Sequence, residues 1–274
     1  MSKRDFLSLL DFSKDELGSL IERAKTFRKM HARGDVYQPL VGRTAAVIMQ
    51  LSSTRTRLAF EAGLAQLGAH AVFLSTKDSQ MGRGEPIEDL ARVLSEMVDI
   101  VMIRTLEQDD MQRLADHASI PVINAMSSLL HPCQLLADVQ TFEELRGPIK
   151  GKTVAFLGDG YNMCHSYINA STQWDFELRI ACPDAHQPNT DILANGHNAQ
   201  RVATAREAVA EADLVVTDVW SSMGHEGQES KRRSTFEPYQ VNEQLLDQAK
   251  PDVLFMHCLP AHRGEEVSAT LLDD

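Results

Sequence analysis

Short apolar runs that alternate with longer helical segments are the feature that most constrains the fold of this chain. Each run is rich in aliphatic side chains, as buried strands are. The runs are 44–49, 69–74, 100–104 and 121–126 in the first half, and 153–157, 177–181, 214–217 and 253–256 in the second. This alternation predicts an α/β protein with two doubly wound domains, each a mostly parallel central sheet flanked by helices.

The stretch Arg146-Gly147-Pro148 interrupts this pattern most strongly. It follows a helical pattern over 132–145, and glycine followed by proline is typical of a helix end. We therefore expect a first domain at 1–147 and a second at 148–274. The chain has 274 residues, of which 43% are hydrophobic, and this is enough for a core in each domain.

Charge and cysteine usage limit the class of protein. The formal net charge of -12 argues against nucleic acid or an anionic membrane as a partner. The sequence contains neither an apolar run of about 18 residues nor a signal-like N-terminus, so we expect a cytoplasmic protein. The four cysteines, Cys133, Cys164, Cys182 and Cys258, lack C-x-x-C spacing. They predict reduced thiols, with neither a disulfide framework nor a zinc site.

The segment Ser53-Thr54-Arg55-Thr56-Arg57 lies between the first predicted strand and a helical pattern that stops at Gly68. The first turn of a helix favours a phosphate, because its N–H groups lack partners and carry a partial positive charge. Arginine adds planar donors that match phosphate or carboxylate oxygens. We interpret the segment as an anion-binding turn. The alternative is a polar surface turn in which Ser53 serves only as the helix N-cap.

Charged and polar side chains follow several other predicted strands. Ligands of parallel sheets bind at the carboxyl ends of strands, so these positions are the expected place for a site. The residues are Arg104, His131, Asp159, Asp218 and the pair His257-Cys258. His131 stands before Pro132, with Gln134 one turn further on, and a histidine at such a place is also suited to capping or packing.

Two further turns carry polar residues with more than one interpretation. Gly158-Asp159-Gly160 is similar to the start of a dinucleotide-binding fingerprint, but Asn162-Met163 stands where the third glycine should fall. Nicotinamide binding is therefore disfavoured, and Asn162 is a candidate for holding a small polar substrate. The loop 218–224 suits closure over a ligand or a plain surface loop. The segment 257–260 places a thiol directly after a strand, and no protease signature surrounds it.

Together these motifs resemble the aspartate/ornithine carbamoyltransferase family over nearly the whole chain. The segments 53–57 and 131–134 are similar to its shared carbamoyl phosphate motifs, and 218–224 and 257–260 resemble motifs of its ornithine branch. The resemblance implies transfer of a carbamoyl group from carbamoyl phosphate to the side-chain amine of L-ornithine, giving L-citrulline and phosphate, with no metal or redox cofactor. It also implies a homotrimer or a multiple of trimers, and a place in arginine biosynthesis, although arginine breakdown uses the same site.

The resemblance implies roles for individual residues as well. Carbamoyl phosphate would be bound by Ser53, Thr54, Arg55, Thr56, Gln80, Arg104, His131 and Gln134, with Gln80 supplied by a neighbouring subunit. Ornithine would be held by Asn162, Asp218, Ser222 and Met223, and Cys258 and Leu259 would line its pocket. The catalytic residues would be Arg104, His131, Asp218 and Cys258. In this scheme the Asp218 carboxylate and a Cys258 thiolate orient the amine and receive its proton, while donors on Thr56, Arg104 and His131 stabilise the carbamoyl oxygen.

Departures from the family pattern keep other interpretations open. Leu51, Ser128 and Tyr161 stand where ornithine enzymes usually have lysine, aspartate and asparagine. The sequence ends at Asp274, before a closing segment that in the family adds an arginine to the carbamoyl phosphate site, which points to a truncated chain or a degenerate enzyme. The alternatives are therefore an enzyme that uses putrescine or an acylated ornithine, and a non-catalytic homologue that binds carbamoyl phosphate.

Overall fold

The structure is a computed structural model that describes residues 3–75, 84–220 and 229–273. The chain divides into two compact units, Met1–Cys133 and Gln134–Asp274. Each unit is built on one parallel sheet with flanking helices, so the predicted fold class is confirmed. The boundary expected after Gly147 stays a prediction.

The first unit alternates helices and strands along the chain. Its elements are α1 (Lys14–Ala32), β1 (Thr44–Met49), α2 (Thr54–Gln66), β2 (His70–Ser75), α3 (Ile87–Met97), β3 (Ile100–Arg104), α4 (Gln108–His117) and β4 (Val122–Met126). The strands are parallel and lie in the order β2-β1-β3-β4. The chain leaves β1 and β3 toward opposite edges of the sheet, so the carboxyl ends of these two neighbours form the switch point at which ligands of such sheets bind.

Helices cover both faces of this sheet, which explains why its strands are apolar without alternation. On one face Ala46 and Ile48 of β1 pack in a cluster with residues of α3 and α4. On the other face Val47 packs in a cluster that includes Leu64 of α2. Successive residues of β1 therefore point into different cores.

Local signals predicted several element boundaries correctly. Ser13 caps α1 by accepting a hydrogen bond from the Glu16 backbone N–H, and the Glu16 carboxylate completes the capping box. Gly68 follows α2 with φ +87°, and a Cβ there would lie 2.9 Å from Cβ of Gln38, so the helix end requires glycine. Pro86 is the N-cap of α3, as its position before a helical pattern indicated.

The second unit contains a five-stranded sheet. Helix α5 (Pro132–Arg146) comes first, and the division between the units falls within it. The elements that follow are β5 (Thr153–Leu157), α6 (Asn162–Trp174), β6 (Glu177–Ala181), α7 (Thr190–Asn195), β7 (Ala199–Arg201), α8 (Ala205–Val209), β8 (Leu214–Thr217), α9 (Glu229–Phe236), α10 (Glu243–Leu246) and β9 (Leu254–His257). Short 3-10 helices lie at Leu9–Asp11, Asp184–His186, Glu237–Tyr239 and Leu271–Asp273. The parallel strand order β7-β6-β5-β8-β9 places its switch point between β5 and β8.

The two faces of the second sheet are covered differently. Ala155 and Leu157 of β5 pack with Ala208 and Val209 of α8. Phe156 points to the opposite face, where its ring centroid lies 5.9 Å from that of Tyr167 on α6. Helix α6 is buried along most of its length. In the described parts of the chain, no helix combines the length and the apolar character needed to cross a bilayer.

Candidate functional site

The turn before α2 begins the helix with the serine N-cap that its sequence suggested. Ser53 is the N-cap, and its Oγ accepts a hydrogen bond from the Thr56 backbone N–H at 3.2 Å. Arg55 is exposed at the first turn of the helix. Arg57 is engaged elsewhere, because its Nε lies 2.9 Å from the Glu61 carboxylate and its guanidinium lies 3.6 Å from the centre of the Phe73 ring. Arg55 is therefore the arginine of this turn that is placed to meet an anion.

Arg104 links the end of β3 to the first turn of α2, at the switch point of the first sheet. It is the last residue of β3, is 9% exposed, and donates from Nη1 to the Thr56 hydroxyl at 3.1 Å. Burial and the positive charge of Arg104 lower the pKa of His131 to about 3. His131 is therefore a neutral imidazole at physiological pH, while Arg104 carries the positive charge.

Gln50 supports these loops, although the sequence analysis did not select it. Its Oε1 accepts hydrogen bonds from the Thr105 hydroxyl at 2.6 Å and from the Leu106 N–H at 3.2 Å. The backbone N–H of Ser128 donates to the Leu106 carbonyl at 2.9 Å. The loops after β1, β3 and β4 are thus joined to one another. The position of Gln50 directly after a strand was the available signal.

Asp138 on α5 is a second residue that the sequence did not mark as part of the site. Gln134 donates from Nε2 to Oδ1 of Asp138 at 2.9 Å, and the Tyr167 hydroxyl donates to Oδ2 of the same carboxylate at 2.8 Å. Burial raises the pKa of Asp138 to about 6. The spacing of four residues between Gln134 and Asp138 places both on one helix face and could have revealed this pair.

The carboxyl ends of the neighbouring strands β8 and β9 bring Asp218 and Cys258 together. Asp218 follows β8 and is 8% exposed, and its Oδ1 accepts from the Cys258 thiol at 3.1 Å and from the Val219 N–H at 2.7 Å. Burial raises the pKa of Asp218, and burial with the nearby Asp218 carboxylate raises the pKa of Cys258 well above its usual value. The expected thiolate is therefore wrong for this state. Cys258 is a protonated thiol, because ionising it would put two negative charges side by side in a buried place.

His257 anchors the turn that carries Cys258. Its Nδ1 accepts from the Leu259 N–H at 2.9 Å, so its Nε2 carries the proton and donates to Oε1 of Glu266 at 3.1 Å. The side chains of His257 and Glu266 are 1% and 0% exposed. Leu259 has φ +56° and a 46% exposed side chain, so it lies at the surface of this turn.

In the Gly158-Asp159-Gly160 turn, glycine is needed because the backbone of a neighbouring loop packs closely against it. A Cβ on Gly160 would lie 2.3 Å from the Pro188 nitrogen, and its N–H donates to the His186 carbonyl at 2.9 Å. Gly158 has φ +118°. The turn is thus shaped by the neighbouring loop, which gives a structural reason for its glycines without a dinucleotide.

Asp159 forms a buried ion pair with Arg232. Arg232 also donates from Nε to the Trp220 carbonyl at 2.5 Å and is 5% exposed. Burial raises the pKa of Asp159 to about 6, against the opposing effect of Arg232. Asp159 therefore joins the turn after β5 to the segment after β8. It precedes Asn162, which is 4% exposed at the start of α6.

Tyr161, Thr54 and Leu51 lie at or near the starts of α6 and α2. Tyr161, the departure next to Asn162, is half-buried at the N-cap of α6. Thr54 is exposed at the first position of α2 and Leu51 is half-buried in the loop before it. Three predicted site residues, Gln80, Ser222 and Met223, lie outside the described residues.

Two clusters in the described part of the chain offer metal-ligand atoms within 4.8 Å of one another. They are Asp218 with His257 and Cys258, and His262 with Glu265 and Glu266. In the first cluster the thiol is hydrogen-bonded to Asp218, and both ring nitrogens of His257 are used by protein groups. A metal ion there would have to replace these hydrogen bonds and deprotonate the thiol.

Two models of known protein domains match this chain, one over each half. The model of the aspartate/ornithine carbamoyltransferase carbamoyl-P binding domain matches residues 4–144, and that of the Asp/Orn binding domain matches residues 150–274. An ornithine carbamoyltransferase from a Psychrobacter species and an anabolic ornithine carbamoyltransferase from Pseudomonas aeruginosa are each 55% identical over 275 residues, covering 100% of this chain and 90% of the relative. The crystal structure of an ornithine carbamoyltransferase from Burkholderia thailandensis has a TM-score of 0.91 at 46% identity, covering 98% of this chain and 90% of that one.

Proposed function

The chain belongs to the aspartate/ornithine carbamoyltransferase family, and from this premise we propose that it transfers the carbamoyl group of carbamoyl phosphate to the side-chain amine of L-ornithine. The products are L-citrulline and phosphate. Relatives named as ornithine enzymes match the whole chain at 55% identity, which favours ornithine over putrescine or an acylated ornithine, and an enzyme over a non-catalytic homologue. The structural observation that carries the proposal is the hydrogen-bonded pair of Cys258 and Asp218 after β9 and β8.

Carbamoyl phosphate is bound through the turn at the start of α2. The exposed guanidinium of Arg55, with the hydroxyl and N–H groups of Ser53, Thr54 and Thr56, holds the phosphate. Arg104 supplies positive charge to the carbamoyl oxygen as negative charge develops there. His131 donates from a neutral ring, as its lowered pKa allows. Gln134 reaches the carbamoyl group, and Gln80 of a neighbouring subunit completes the site.

Ornithine is held by residues of the second unit. Asn162, Ser222 and Met223 hold its amino-acid end. The ornithine side chain and its amine are surrounded by Asp218, Cys258 and Leu259. The side-chain ammonium must lose a proton before its nitrogen can attack. Asp218 is suited to accept that proton, because its raised pKa brings it closer to neutral pH than an ordinary aspartate. Cys258 donates its S–H to Asp218 and so fixes the direction of the carboxylate.

The reaction then balances without a metal or a redox cofactor. The amine nitrogen forms a bond to the carbamoyl carbon, and the bond from that carbon to the bridging phosphate oxygen breaks. The first proton, taken from the ammonium, passes to Asp218 and then to solvent. The second proton, which the nitrogen loses as the new bond forms, passes to the phosphate, and the phosphate leaves as hydrogen phosphate with the electron pair of the broken bond. Arg55 stabilises the departing phosphate.

The proposal is tested by following phosphate release from carbamoyl phosphate with and without ornithine. We expect release that depends on ornithine and is strongly reduced by Arg104→Met. Tight binding of carbamoyl phosphate without ornithine-dependent release would instead support the non-catalytic homologue.

The family also suggests the assembly and setting of the protein. We infer a homotrimer, or a multiple of trimers, that acts in the cytoplasm in arginine biosynthesis, with a domain boundary after Gly147. Light scattering of the purified protein tests the assembly, since a monomer would leave the position of Gln80 without a neighbouring subunit.

A further inference from the structure

A half-buried carboxylate lies one helical turn after Gln134, and the reaction described above does not use it. Asp138 is on α5, four residues after Gln134, so the two side chains share one face of the helix. Its Oδ1 accepts from Nε2 of Gln134 at 2.9 Å, and its Oδ2 accepts from the Tyr167 hydroxyl at 2.8 Å. Both carboxylate oxygens are therefore held by donors.

The bond to Gln134 selects one orientation of its amide. An ionised carboxylate only accepts hydrogen bonds, so the NH2 end of the amide must face it. The reverse orientation would place the amide oxygen against a carboxylate oxygen. Tyr167 donates to the other carboxylate oxygen and so ties Asp138 to α6, but the bond between Gln134 and Asp138 lies within α5 and does not involve this tyrosine. The amide oxygen of Gln134 is thus directed away from Asp138.

We propose that Asp138 is a positioning residue that presents the amide oxygen of Gln134 to the amino group of carbamoyl phosphate, so that the protein distinguishes this donor from an acyl phosphate with a methyl group at that place. The inference rests on the proposed function, in which Gln134 reaches the carbamoyl group. An amide oxygen accepts a hydrogen bond from an N–H group but not from a methyl group. A site built around such a bond rejects the analogue that lacks it.

Acetyl phosphate isolates this contact. It shares the phosphate and the acyl oxygen of carbamoyl phosphate and replaces only the amino group by methyl. The ratio of the two dissociation constants therefore measures how well the protein recognises the amino group. Inorganic phosphate reports on the phosphate contacts alone.

The charge state of Asp138 gives a second way to test the proposal. Burial raises its pKa to about 6, the nearby Asp218 acts in the same direction, and Gln134, Tyr167 and His257 oppose the rise. Asp138 is thus ionised at pH 7.5. Below pH 6 it is protonated and can donate to the amide oxygen of Gln134, which removes the preference for one orientation.

The competing explanation is that Asp138 only ties α5 to α6. Two variants separate the explanations. Asp138→Asn keeps the size of the side chain but offers both a donor and an acceptor, so Gln134 loses its fixed orientation. Tyr167→Phe removes the link to α6 while leaving the carboxyl group of Asp138 against Gln134. A purely structural role predicts that the two variants change ligand binding alike.

The experiment is calorimetric titration of the full chain at pH 7.5 with carbamoyl phosphate, acetyl phosphate and inorganic phosphate, each used as a separate probe. We expect Asp138→Asn to weaken carbamoyl phosphate about tenfold, as loss of one hydrogen bond to a ligand does, with phosphate affinity changed less than about twofold. The preference over acetyl phosphate falls by the same factor, and Tyr167→Phe retains it. An unchanged preference in Asp138→Asn, or an equal loss in both variants, overturns the proposal.

The wild-type protein provides a measurement that does not depend on folding of a variant. Its preference for carbamoyl over acetyl phosphate should fall as the pH is lowered from 7 to 5.5, and a constant preference overturns the proposal. Ornithine-dependent product formation by the wild-type protein is measured alongside. If no product forms while the preference behaves as expected, the proposed function fails and the role of Asp138 stands. If product forms and the preference is insensitive to Asp138→Asn, the proposed function stands and the role of Asp138 fails.

Discussion

Replacing Arg232 by methionine should strongly destabilise the second unit, and more so at high pH. Arg232 is 5% exposed, forms an ion pair with Asp159, donates to the Trp220 carbonyl and lies 5.0 Å from the centre of the Phe236 ring. Removing one partner of a buried ion pair costs about 3–5 kcal/mol, because the other charge stays buried. That is a large fraction of the roughly 5–15 kcal/mol by which a domain is stable.

The pH dependence follows from the Asp159 carboxyl. Its pKa is already raised to about 6, and it rises further when the opposing charge of Arg232 is removed. An acid whose pKa is higher in the folded than in the unfolded state binds its proton more tightly when folded. Protonation below about pH 6 therefore stabilises the folded variant, and each pKa unit is worth about 1.4 kcal/mol. We expect Arg232→Met to cost at least about 1 kcal/mol less at pH 5.5 than at pH 8.

Urea unfolding followed by tryptophan fluorescence reports on the stability of the second unit, because both tryptophans of the chain, Trp174 and Trp220, lie there. Adding Asp159→Asn to Arg232→Met should recover much of the loss, since no buried charge remains. Arg263→Met is the matched control. Arg263 pairs with Asp273 at side-chain exposures of 42% and 72%, and such a pair is worth about 1 kcal/mol or less. A cost of Arg232→Met no larger than that of the control, or one independent of pH, would refute the reasoning.

Further predictions concern the two substrates and the cysteine. Arg55→Ala should abolish measurable binding of carbamoyl phosphate in a calorimetric titration, whereas Arg57→Ala, which removes the arginine engaged by Glu61 and Phe73, should change it less than about threefold. Equal losses in both would contradict the assignment. Cys258→Ser should raise the KM for ornithine about tenfold with carbamoyl phosphate affinity retained, because it alters the donor to Asp218; loss of both would indicate misfolding. Iodoacetamide at pH 7.5 should alkylate Cys258 far more slowly than a free thiol, since its pKa is raised, and rapid alkylation would mean that the thiolate is present. Dialysis against EDTA should leave activity unchanged, because the cluster of Asp218, His257 and Cys258 is held by its own hydrogen bonds; lost activity restored by zinc would contradict this.

The sheets were predictable because buried parallel strands are continuous apolar runs. The run 153–157 matches β5 at both ends, and 44–49 matches β1. Strand β7 was missed because Ala199–Arg201 is short and polar, as a solvent-facing edge strand can be. Among the residues that the structure describes it pairs only with β6, and its sequence has no periodic pattern that would predict a strand.

The position of several candidate site residues in the fold was predictable, because polar residues at strand ends are few. Arg104 and Asp218 lie at the switch points of their sheets, where the rule for parallel sheets places ligands. The ionisation of Cys258 was not predictable, since it depends on a carboxylate forty positions away in the sequence. Gln50 was missed for the same reason, because its partner Thr105 is brought near only by the fold. The spacing of Asp138 from Gln134 was visible in the sequence, but its bond to Tyr167 was not.

The most direct test of the proposed activity is to offer the protein carbamoyl phosphate with equal amounts of ornithine, N-acetylornithine and putrescine, and to identify the products by mass spectrometry. The account predicts citrulline as the dominant product, released with an equal amount of phosphate. Carbamoylated N-acetylornithine or putrescine as the main product would contradict the assigned acceptor, and the absence of any product from a folded protein would contradict the assignment as an enzyme.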